Sequence, residues 1–287
     1  MADKKKKKGI TTITTTINKE IISTPTNEKT HIICILDSSG SMTSIMKDSI
    51  GGFNEFLKQQ KALPDKATIT VALFDDPHHY QLLYDNVDIK QAEELTSLVW
   101  FPRGMTSLYD ALGKTINTDR AKIKSLGKEA PAKVLVCIVT DGEENASLEY
   151  KGEAGRERIK SLIKECESND NWNFIYLACG QDAFQIGAQF GMSRGNTITY
   201  GATPQGVHHM SQTLNSASVS YRGMSANSNN FQKKSKSLIA DNEPEDKNTT
   251  KDNLTGSITT TGIAGGNFTV SNNSGLNTAV LDPKDKK

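Results

Sequence analysis

Short apolar runs alternate with amphipathic stretches through the middle of the chain. The runs at 31–36, 67–74, 79–84, 133–140, 173–178 and 196–200 are too continuous for one-sided burial and read as strands covered on both faces. Between them lie helical periods. Ile45, Ile50, Phe53, Phe56 and Leu57 recur at spacings of three to five around the polar Asn54, Glu55, Lys58 and Gln59, which describes an amphipathic helix of about five turns. Similar patterns cover 108–126, 155–166, 183–190 and 205–214. This alternation predicts an α/β fold: a doubly wound, mostly parallel six-stranded sheet with helices on both faces. Only Asp75, Asp76, Pro77 and His78 join the runs 67–74 and 79–84. That is too short for a crossover, so one edge strand should be antiparallel.

The ends follow a different pattern. From Gly223 onward, 25 of 65 residues are Asn, Ser or Thr, a composition that buries too little apolar area to offset chain ordering. The expected organisation is a Lys- and Thr-rich flexible extension over 1–30, one domain over 31–222, and a mostly disordered tail over 223–287. Within that tail the Thr- and Ile-rich island at 258–271, with Gly265 and Gly266 at its centre, reads as a possible β-hairpin.

Charge sharpens this division. The total is +1, from 34 basic and 33 acidic side chains. Residues 1–30 carry seven Lys against three acids, 223–287 eight against seven, and the central domain 19 basic against 23 acidic groups, for −4. No global field draws the domain to nucleic acid or anionic lipid. No apolar run approaches the ~20 residues needed to cross a bilayer, and five threonines in 9–17 make that segment too polar for a signal peptide. A cytoplasmic protein is expected. The four cysteines lack CxxC spacing and read as buried thiols.

Open α/β sheets bind ligands beyond the carboxyl ends of their strands. After the run 31–36 come Asp37, Ser38, Ser39, Gly40 and Ser41. After 133–140 come Asp141, Gly142 and Glu143, and at the start of a helix between them stand Arg103, Gly104, Met105, Thr106 and Ser107. Three segments should converge on one rim. Asp37, Ser39, Ser41, Thr106 and Asp141 offer only oxygen, which suits a hard cation: Mg²⁺, with Mn²⁺ or Ca²⁺ as alternatives. Mg²⁺ takes six oxygens at ~2.0–2.1 Å, a distance small hydroxyl side chains can reach, and Gly40 keeps the turn uncrowded.

The D-x-S-x-S run of Asp37, Ser39 and Ser41, the Thr106 segment beginning Gly104-Met105-Thr106-Ser107-Leu108, and Thr140-Asp141-Gly142-Glu143 together resemble the metal-ion-dependent adhesion site of von Willebrand factor type A domains. The wider sequence looks like the small stand-alone type A proteins of bacteria and their phages. The resemblance implies that Ser39 and Ser41 bind the metal directly, Thr106 directly in the ligand-competent state, and Asp37 and Asp141 mainly through water. It also implies that a protein partner supplies an Asp or Glu carboxylate to the remaining coordination position, and that an AAA+ ATPase acting in trans is one possible partner. Ser38, Gly40, Arg103, Gly104, Met105, Gly142 and Glu143 would form the surrounding rim. Arg103 departs from the two glycines common in the family, and reads either as a cation favouring an anionic ligand or as a solvated loop residue. Met105 is an exposed contact or a packed side chain. Glu143 and Glu144 bind a second cation or simply open a loop.

Other chemistries fit less well. His78-His79 and His208-His209 are adjacent pairs, poorly placed to chelate, and none of the five histidines is expected after a strand end on the same rim, where a hydrolase base would be needed. The basic stretch of Lys114, Arg120, Lys122, Lys124 and Lys128 reads as a solvated helix face. The expected function is a non-enzymatic, cation-dependent protein-binding module. The alternatives are a Mg²⁺-dependent phosphoryl-transfer enzyme using Asp37 and a nucleic-acid scaffold.

Overall fold

Six strands form one sheet in the order β3-β2-β1-β4-β5-β6: β1 Thr30–Asp37, β2 Ala67–Phe74, β3 Gln81–Asp88, β4 Lys133–Thr140, β5 Trp172–Cys179 and β6 Thr197–Tyr200. The computed structural model describes residues 28–239, so the expectations for 1–27 and for a hairpin at 258–271 lie outside the described residues. All strand pairs are parallel except β2 with β3, as the short link between those two requires.

The continuous apolar runs have the expected cause. Every residue of β1, β2, β4 and β5 is buried, because helices cover both faces. Alternation along β1 sends Ile32, Cys34 and Leu36 to one layer, with Phe53, Phe56 and Leu57 of α1 (Met46–Ala62) and Val207, Met210 and Leu214 of α5 (Pro204–Gly223). Ile33 and Ile35 face the other layer, with Leu108, Leu112 and Ile116 of α2 (Leu108–Ser125) and Ile159 and Ile163 of α3 (Gly152–Asn169). A shorter helix, α4 (Ala183–Gln189), precedes β6. Thr203 caps α5 by accepting from the Gly206 amide at 3.0 Å, with Pro204 in the first turn. Gly52 lets α1 approach α5 where any Cβ would collide with Ser211.

Two boundaries differ from expectation. The edge strand begins at Gln81, since Asp75–Tyr80 form a turn in which the His79 amide donates to the Asp76 carbonyl at 2.9 Å. It runs on to Asp88 through a bulged register against β2, with Asn86 at φ 54°. The packed body also continues past Gly223, which corrects the expectation of disorder for 223–239. Phe231 of α6 (Phe231–Lys234), Leu238 and Ile239 are buried in the α1–α5 layer, the Tyr221 and Phe231 rings lie 5.7 Å apart, and the Leu238 amide donates to Asn196 Oδ1 at 2.9 Å. Three apolar anchors, diluted among polar residues, suffice to dock this segment. Among the described residues no helix is long and apolar enough to cross a membrane.

Candidate metal centre

Asp37 is the last residue of β1 and is fully buried. Its Oδ1 accepts the Ser39 amide at 2.7 Å, Oδ2 accepts the Thr140 hydroxyl, and its carbonyl accepts the Trp100 indole N–H at 2.9 Å. A chain of hydroxyls leads outward from it. Ser39 Oγ lies 3.0 Å from Ser41 Oγ, and Ser41 Oγ donates to Asp141 Oδ1 at 2.7 Å, just beyond the end of β4. The parallel register of β1 and β4 brings these two loops level.

The third loop is held from both sides. The Arg103 amide donates to the Ser38 carbonyl at 2.7 Å and the Gly40 amide to the Gly104 carbonyl at 3.3 Å. The Thr106 amide donates to Asn145 Oδ1 at 2.9 Å, while its carbonyl accepts the Asn145 and Ala146 amides. Thr106 is buried, and its hydroxyl is turned toward Gly142. A Cβ at Gly142 would come within 2.7 Å of Thr106 Oγ1 and 3.3 Å of Ser41 Oγ, so only glycine leaves this space open. Asp37, Ser39, Ser41, Thr106 and Asp141 thus meet on one rim, with Ser38, Gly40, Gly104, Met105 and Glu143 around them.

Sequence reasoning missed Asp75, which follows β2 just as Asp37 closes β1 and Asp141 follows β4. It is fully buried. Its carboxylate binds Arg103 Nε at 2.6 Å and faces His79 Nδ1 at 3.1 Å, and its carbonyl accepts both the amide and the hydroxyl of Ser107 at 2.7 Å. Gly104 sits at φ +66° against it, where a Cβ would lie 2.9 Å from Asp75 Oδ1. The strand-end rule would have flagged Asp75; reading the segment only as a hairpin turn hid it. Arg103 is therefore not free for an anion: although one third exposed, it is ion-paired to Asp75 and stacks 4.8 Å from the Phe101 ring centroid. Met105 is half exposed, on the rim rather than packed. Glu144 accepts from the amides of Tyr109, Ala146 and Ser147 and from the Ser147 hydroxyl, which makes it a loop clamp. Glu143 is exposed.

Electrostatics set the centre apart. Burial, opposed by the hydrogen bonds from Thr140 and Ser39 and reinforced by the Asp141 charge, pushes the Asp37 carboxyl up to about 6. Burial raises Asp141 as well, against its bond from Ser41. Among the described residues neither carboxylate has an ion-pair partner. Nor does any group of three or more His, Cys, Asp or Glu there gather to hold a metal. The donor set is instead two uncompensated carboxylates and three hydroxyls, all oxygen, which fits a hard divalent cation.

The basic stretch is mostly spent on neighbours. Arg120 pairs with Glu165 and Asp170, Lys122 with Asp85, and Lys114 lies over the Tyr80 ring.

Sheet order, the antiparallel edge and three oxygen-bearing loops on the carboxyl rim make this a doubly wound α/β domain with its candidate site at the strand ends. No family model matches the chain, and no curated protein does. Solved structures similar to it include the manganese-loaded TRAP protein of Plasmodium vivax, at 19% identity and TM-score 0.46, covering 61% of this chain and 70% of that one. Proximal thread matrix protein 1 from the mussel byssus, in a form with a zinc-occupied MIDAS motif, matches at 14% identity and TM-score 0.46, covering 66% of this chain and 48% of that one. The chain spans about half the length of the mussel protein. What the rim can do chemically rests on its own residues.

Proposed function

We propose that the chain is a divalent-cation-dependent protein-binding module, in which the rim holds Mg²⁺ or a similar hard cation and captures a carboxylate of a protein partner. The observation that carries this reading is the convergence of five oxygen-bearing side chains at one strand-end rim, among them two carboxylates without an ion-pair partner, Asp37 buried and Asp141 half-buried. Ser39, Ser41 and Thr106 would hold the cation with neutral hydroxyls, while Asp37 and Asp141 balance its charge. A cation held mostly by neutral ligands keeps the positive charge that attracts an external anion. Asp37 fixes the Ser39 turn through the amide bond, Asp141 orients the Ser41 hydroxyl, and Asn145 fixes the backbone of Thr106.

Phosphoryl transfer through Asp37 is less favoured. A nucleophilic carboxylate needs an accessible oxygen, whereas both Asp37 oxygens are buried and occupied by the Ser39 amide and the Thr140 hydroxyl. Titration calorimetry of Mg²⁺ and Mn²⁺ into wild type, Asp37→Ala and Ser39→Ala should give saturable heat only for wild type. Equal heats in all three would refute the reading.

A further inference from the structure

The sheet has two edges, and only one of them is blunted. At the β3 edge the register against β2 is bulged, Asn86 stands at φ 54° and Asp85 pairs with Lys122, devices that keep other strands away. At the other edge β6 pairs with β5 in unbroken register. The Tyr200 carbonyl accepts the Gly180 amide at 3.0 Å on the β5 side, and alternate residues of a strand turn their main-chain groups to opposite edges. Thr197 and Thr199 therefore direct their N–H and C=O groups to the open side. Their hydroxyls are already occupied: that of Thr197 donates to the Arg194 carbonyl at 3.0 Å, and that of Thr199 accepts the Ala183 amide at 3.0 Å. Among the described residues no backbone bond reaches the four outward main-chain groups.

A groove of about 670 Å³ runs along this edge. One wall is Phe184 of α4, 42% exposed, with the Arg194 guanidinium 4.7 Å from its ring centroid. The other wall carries Lys236 and Ile239. Among the described residues neither Arg194 nor Lys236 makes an ion pair. The one acid of the lining, Asp182, is spent on capping α4 through the Gln185 amide at 3.0 Å. An unpaired strand edge between two walls has the shape that accepts one extended segment. The two free cations, one on each wall, set the charge of that segment. Side chains of an added strand alternate between the walls, so acids at adjacent positions reach both cations.

We propose that the open edge of β6 takes an acidic, extended segment of a partner protein as a seventh strand, at a surface separate from the metal centre. The experiment uses the full chain with the capped peptide Thr-Val-Asp-Glu-Val-Thr, beside a match with Asn and Gln for the two acids. It is run in EDTA, so that no cation at the rim can hold the peptide's carboxylates. The acidic peptide should bind at least tenfold tighter than the neutral one and slow deuterium exchange of the Thr197 and Thr199 amides at least tenfold. Arg194→Gln combined with Lys236→Gln should cut the charge preference below twofold. N-methylation of one alternate set of peptide amides, and not of the other, should abolish the protection, because a strand pairs along one edge only. Equal affinity of the two peptides, or exchange at Thr197 and Thr199 that the peptide leaves unchanged, would overturn the proposal. So would a concentration-dependent dimer with these amides protected in the absence of peptide, which gives the edge to a second copy. Protection of the same amides in the dilute chain alone would overturn it too, by giving the edge to the chain's own residues.

Discussion

At the amino end of the sheet, Lys133 is fully buried and donates to the Arg222 carbonyl at 3.0 Å, with Glu28 at 3.7 Å; Arg222 in turn pairs with Asp65 at 2.8 Å and donates to the Gln60 carbonyl at 2.7 Å. His31 sits between Thr68 at 2.8 Å and Asp119 at 3.3 Å, and Asp119 also accepts from Thr70 at 3.0 Å. At the carboxyl end Asp37 is buried as deeply, but faces hydroxyls, amides and a second carboxylate instead of a cation. One end neutralises its buried charges within the chain; at the other, Asp75 has Arg103 but Asp37 is left without a cation. A buried charge without a partner costs stability, so the difference separates a structural network from a site that awaits something.

The contrast breaks most visibly if the structural end is cut. Arg222→Ala strands Asp65 and the Gln60 carbonyl, and should cost about 3–5 kcal/mol in urea unfolding, with cation affinity of the remaining folded protein unchanged. A comparable loss of cation affinity would show that the two ends are coupled. The next effect is one of pH. Asp37 titrates near 6 in the folded protein against 3.8 ordinarily, so the native state holds the extra proton between those values. Stability of the metal-free protein should therefore fall by about 3 kcal/mol as pH rises from about 4 to above 6. Mg²⁺ should flatten that slope, and Asp37→Asn should abolish it together with the response to Mg²⁺; an unchanged slope in Asp37→Asn would assign the titration elsewhere. Gly142→Ala pushes a methyl against Thr106 and Ser41, and is expected to cost about 1–2 kcal/mol in thermal unfolding but at least tenfold in cation affinity. The smallest effect belongs to neither end: Lys122→Ala, which removes an exposed pair with Asp85, should change stability by less than about 0.5 kcal/mol.

Much of this was legible in the sequence. The limits of β2 and β4 fall where the apolar runs do, because strands buried on both faces carry no ambiguity of face. The three rim segments were legible because they follow strand ends or open a helix. Beyond that, local pattern fails. Asp75, Glu144, Asn145 and Trp100 act through bonds that span 28 to 63 residues, and no period or spacing encodes such partners. The edge strand slid to Gln81–Asp88 because a half-exposed strand is polar enough to look like a loop. Phe231, Leu238 and Ile239 vanish in an average over a polar tail, although each finds a buried place.

The bond between Ser41 and Asp141 closes a loop of 100 residues, and it gives the rim a history as well as a geometry. Strand β1 leaves the ribosome first, pairs with β2 within a few dozen residues, and then waits for β4 to complete its other side. At about 5–20 residues per second, that wait lasts roughly 5–20 s. During it the Asp37 loop exists without its second carboxylate. On the proposed reading, a cation would seal this domain once the sheet has closed and would not template its first steps.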